Sequence, residues 1–68
     1  MTFHRITVFD DHGDRRLPAI KAEWFAIDDA PGGTTLFTFY NKHNQKVAAV
    51  IASPCQSIMV TKFEEGEL

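Results

Sequence analysis

Cysteine is almost absent from this chain: Cys55 stands alone among 68 residues. One thiol cannot make an intrachain disulfide, so a stapled small-domain scaffold is excluded. Long apolar runs are missing as well. The longest, Val47-Ala48-Ala49-Val50-Ile51-Ala52, falls far short of the about 20 residues that a membrane-crossing helix needs. Met1-Thr2-Phe3-His4-Arg5 leads directly into a strand-like run, without the apolar stretch of a secretory signal. The expected address is therefore the cytoplasm, with no membrane partner. Neither sign of charge dominates, with seven basic and nine acidic residues and a net charge of −2. Nucleic-acid binding normally rests on a basic field, so it is not the leading expectation.

Motifs that carry chemistry are also scarce. No HxH, HxxxH or CxxC pattern occurs, and zinc needs three or four converging ligands. Gly32-Gly33 precedes a strand-like segment, not a helix N-terminus that could hold phosphate. Asp10-Asp11-His12-Gly13-Asp14 is rich in oxygen ligands but lacks the spacing and terminal Glu of a calcium loop; Asp and Gly in such a cluster ordinarily make a turn. Cys55 follows Pro54 with no base nearby in sequence. The expectation is a non-enzymatic chain with no metal and no cofactor.

Aromatic residues are plentiful: six Phe, one Trp and one Tyr. Each ring buries about 150–250 Å² when covered. A chain this short hides only roughly 60% of its unfolded surface, so some rings are expected to remain available to a partner.

Along the chain, Phe3 to Phe9 is β-branched and aromatic and ends at the Asp-rich turn. It reads as a first strand, with Phe3, Arg5, Thr7 and Phe9 on one face and His4, Ile6 and Val8 on the other. A loop follows through Arg15, Arg16 and Pro18. Ala19 to Asp28 fits both periods: Ile20, Ala22, Trp24 and Ala26 align at period two, while Leu17, Ile20, Trp24 and Ile27 form a helical stripe. Strand is favoured, because no capping residue stands before Pro18. A helix near 17–28 would make the chain α+β. Asp28 to Gly33 is a turn, and 34–41 a strand rich in Thr and Phe. A polar hairpin loop over 41–44, a strand over 45–52, a turn over 53–56 and a strand over 57–63 complete the pattern. Residues 64–68 form an acidic C-terminal tail.

The resulting expectation is an all-β domain over residues 1–63. It is an antiparallel meander of four or five strands, forming a curved sheet or small open barrel. Both faces of its central strands carry apolar residues, and its edges, the strands at 3–9 and 57–63, are lightly guarded by Arg5 and Lys62. Both features point to a homo-oligomer. The candidate binding residues are Trp24, Phe37, Phe39 and Tyr40, with Arg15 and Arg16. The alternative reading joins Trp24, the Phe residues, Arg15 and Arg16 into a module for single-stranded nucleic acid, which needs stacking rings beside a positive groove.

From Lys21 to Phe63 the chain shows Ala22-x-Trp24, an acidic turn with Gly32-Gly33, Leu36-x-x-x-Tyr40, a polar hairpin, Val47-Ala48-Ala49-Val50 and Ile58-x-Val60. This pattern resembles small β proteins encoded by actinobacterial phages and by their hosts. The matching residues are packing and turn residues. The resemblance implies a phage accessory product that acts by self-assembly or by binding a host protein, with no catalytic residue to carry over.

Overall fold

The structure is a computed structural model and describes residues 1–66. The protein is all-β and antiparallel, as expected, and is built of two open sheets. The first contains β1 (Thr2–Asp10), β2 (Gly13–Arg16), β3 (Ile20–Lys21) and, from the far end of the chain, β7 (Ser57–Glu64). The second is the meander β4 (Trp24–Ala30), β5 (Thr34–Tyr40) and β6 (Lys46–Ala52).

β1 is the centre of its sheet. The amides of Leu17 and Ala22 donate to the carbonyls of Ile6 and Thr2. Backbone groups alternate sides along a strand, so β2 and β3 follow one another along the same flank of β1. Pro18 lacks an N–H and falls between them. β7 occupies the other flank along its whole length, from Thr2↔Glu64 to Phe9↔Ser57. The strand at 3–9 is therefore not an edge, and the guard ascribed to Arg5 is unnecessary. That expectation rested on neighbours in sequence pairing in space; here first and last strands pair instead.

The segment read as ambiguous is extended, not helical, and it changes sheets midway. Ala22 donates its N–H to Thr2 in the first sheet, and Glu23 donates its own to Tyr40 in the second. Ala22 is buried, and its small side chain suits a crossing pressed between two layers. The stretch 13–16, read as loop, is a strand because its polar side chains all face solvent while its backbone pairs with β1.

Alternation decides what lies between the sheets. His4, Ile6 and Val8 of β1 point inward, as the sequence indicates, and meet Phe37 and Phe39 of β5 with Ala52 of β6. Ile58 and Val60 of β7, Phe25 of β4 and Val50 of β6 pack against this core. The His4 ring lies 5.5 Å from Phe25 and 5.7 Å from Phe39, contacts that span the two layers. At about 25 cal/mol per Å², the apolar area covered here is the main stabilising term.

The turns follow from side-chain chemistry. Asp10 accepts from the His12 amide and pairs with Arg15 at 2.9 Å. Gly32 and Gly33 take φ of 78° and 76°, a left-handed region that L side chains avoid. Thr34 closes that turn by donating its hydroxyl to the Pro31 carbonyl. In the β5–β6 loop, Asn41 Oδ1 accepts from the amides of His43 and Gln45. Glu64, read as the first residue of a tail, ends β7 and accepts from the Thr2 hydroxyl. Residues 67 and 68 lie outside the described residues. No helix among the described residues is long and apolar enough to cross a membrane.

Candidate interaction surface

The sequence-predicted binding residues separate into three places. Phe37 and Phe39 are 8% and 0% exposed and belong to the core. They are not available to a partner, because odd positions of β5 face the first sheet. Tyr40 lies on the opposite face of β5, in register with Trp24. Arg15 and Arg16 sit on β2 in the other sheet, and Arg15 is held by Asp10. The aromatic and basic halves of the expected site are thus not brought together.

The outer face of the second sheet is built by register. Trp24 stands beside Tyr40, Ala26 beside Thr38 and then Ala49, and Asp28 beside Leu36 and then Ile51. The Trp24 and Tyr40 rings stack at 4.2 Å with 12° between planes. Trp24 Nε1 donates to Asn44 Oδ1 at 3.1 Å, and Asn44 holds the positive φ of 61° that closes the loop. The indole is therefore fixed from two sides while 43% of it stays exposed. Ile51, at 65% exposure, extends the apolar strip to the opposite corner. Asp28 and Lys46 are the charged residues in register on this face. No described element covers it.

The first sheet presents a different outer face. Phe3 and Phe63 stack at 5.6 Å, and the Arg5 guanidinium lies 5.3 Å above the Phe63 ring. These rings already have each other as partners, and a cation caps Phe63.

Two clefts of about 380 and 390 Å³ lie at the ends of the sandwich. The first is bordered by Lys21, Glu23, Lys42 and His43, with charges of both signs. The second runs beside Gly33, Pro54 and Gln56. Among the described residues, no three His, Cys, Asp or Glu side chains converge as metal ligands. His4 lies in the core, His12 in the β1–β2 turn and His43 in the β5–β6 loop. Cys55 is exposed in the turn that joins the two sheets.

The titratable group with the most distinctive setting is His4, which is not among the expected binding residues. His4 is 1% exposed, and its Nδ1–H donates to the Ala22 carbonyl at 3.1 Å. Burial pushes its imidazole below the ordinary value, against the opposing pull of that hydrogen bond. The neutral ring thus ties β1 to the crossing residue. Its position on the inward face of β1 was legible; its bond to Ala22 was not. Asp10 is held below the usual carboxylate range, first by the His12 amide and further by Arg15.

No protein-family model, curated protein or solved structure matches this chain.

Proposed function

We propose that this chain is a small non-enzymatic interaction protein that works through the outer face of the β4–β5–β6 sheet. The supporting observation is the fixed, half-exposed Trp24–Tyr40 stack, continued by Leu36 and Ile51. Aromatic rings that are already oriented lose little conformational freedom on binding and so make effective anchors. The partner is a host protein or a second copy, and the setting is that of a cytoplasmic phage accessory product.

Capture from cell extract with wild type, Trp24→Ala and Ile51→Glu tests the surface. A protein retained by wild type and lost from both variants supports the reading; equal retention by all three refutes it. Binding to single-stranded nucleic acid has less support, because Arg15 and Arg16 lie on the other sheet from Trp24. Micromolar binding of an oligonucleotide that weakens steeply with salt would reverse this ranking.

A further inference from the structure

Three of the four sheet margins resist strand pairing. β4 carries Asp28 and Asp29, β7 carries Lys62 and Glu64, and the flank made by β2 and β3 is short and charged. Charges and short length are the usual defences of an edge. β6 is the least guarded: past Lys46 and the register shift at Val47 it reads Ala48-Ala49-Val50-Ile51-Ala52 without a charge, and no described strand pairs with its outer side.

The backbone of that edge has a definite polarity. On β5, the Tyr40 carbonyl accepts from Glu23 on the β4 side, whereas the Asn41 amide donates to Gln45 on the β6 side. By alternation, Phe39 and Phe37 direct their backbone groups to β6, where they pair with Ala48 and Val50. Ala49 and Ile51 consequently turn their N–H and C=O groups to the open side. Water or another extended strand can satisfy them.

We propose that β6 pairs antiparallel with the β6 of a second copy about a two-fold axis at Ala49, joining two three-stranded sheets into one of six. The proposal rests on the reading of this chain as an interaction protein and names one partner for it. The sequence of the strand is self-complementary at this register. Ala49 meets itself and Ala48 meets Val50 in a regular ladder, and Ile51 meets Val47 at each end, where the register of β6 shifts. Small residues face larger ones across the inward side, as cross-strand packing favours. A two-fold contact of this kind is closed and stops at a dimer.

Light scattering at tens of micromolar, with nuclear magnetic resonance to verify folding, tests it. The expected mass is twice the 7.7 kDa of one chain. Ala49→Lys sets two like charges against each other at the axis, and Ala49→Pro removes an edge N–H; both are expected to give the mass of one chain. Should the proline variant fail to fold, the lysine variant carries the test. Ala26→Lys, on the same face but on β4, is expected to leave the dimer intact. A dimer dispersed by Ala26→Lys and not by Ala49→Lys overturns edge pairing in favour of face packing. A monomeric wild type also overturns it; if that monomer still captures a protein through Trp24, the interaction reading survives alone.

Discussion

Truncating Phe39 to alanine is the sharpest test of the two-layer core. Phe39 is fully buried, 5.5 Å from Phe25 and 5.7 Å from His4, so its ring is shared by both sheets. Removing a buried Phe side chain costs about 3–5 kcal/mol. At roughly 0.05–0.15 kcal/mol per residue, a chain of this length holds only about 3–10 kcal/mol in all. At roughly 4–8 °C per kcal/mol, the melting temperature falls by about 12–40 °C, and at the lower end of that stability range much of the population unfolds at room temperature. Trp24→Ala is the control. The residue is 43% exposed and its ring stacks on Tyr40, so the loss is the pair energy of about 0.5–1.5 kcal/mol and part of the covered area. Urea denaturation at one fixed protein concentration compares them, with an unchanged slope confirming that stability alone has moved. Phe39→Ala costing no more than Trp24→Ala would refute the assignment of inner and outer faces.

Acid is expected to weaken the fold through His4. Its folded value is lowered from 6.5, so its contribution is full above about pH 6.5 and is lost as pH falls through the folded value. Lys62, opposite it on β7, reinforces the lowering and Glu23 opposes it; the urea midpoint from neutral to mildly acid pH should decline in wild type and flatten in His4→Gln, and an identical decline in both would remove His4 as the cause. Gly33→Ala is expected to destabilise by about 1–2 kcal/mol from its left-handed backbone. It should cost more than Gly32→Ala, because the new methyl would lie 3.3 Å from Pro54 whereas Gly32 faces open space; equal thermal shifts would show that Pro54 yields freely.

Much of the fold was legible, because alternation is a local property. His4, Ile6 and Val8 alternate with Phe3, Arg5 and Thr7, and the inward set is one of the two faces that a period-two reading separates. The Gly32-Gly33 turn was legible for a similar reason: only glycine takes that backbone easily. Pairing between distant strands leaves no such local trace. Nothing within Ser57–Glu64 announces that its neighbour is β1 and not β6. β2 was missed because Gly13–Arg16 buries no side chain, and hydrophobic periodicity detects only strands that do. At the candidate site, parity along β5 already divides Phe37 and Phe39 from Tyr40. Grouping them as one binding cluster ignored that signal, whereas the loss of Arg15 and Arg16 to another sheet could not be read from spacing.

The pairing of β1 with β7 also fixes an order of events during synthesis. β1 waits for β7, made about 50 residues later, since β7 forms one whole flank of β1. The β4–β5–β6 hairpins close over short distances and can form early, whereas joining the first and last strands must bridge nearly the entire chain, a slow step. Until it is complete, Ile6 and Val8 on one side and Phe37 and Phe39 on the other have no lasting cover. Before β7 joins β1, the chain therefore displays more apolar strand to its neighbours than the folded domain does, and its exposure to misassembly is greatest then.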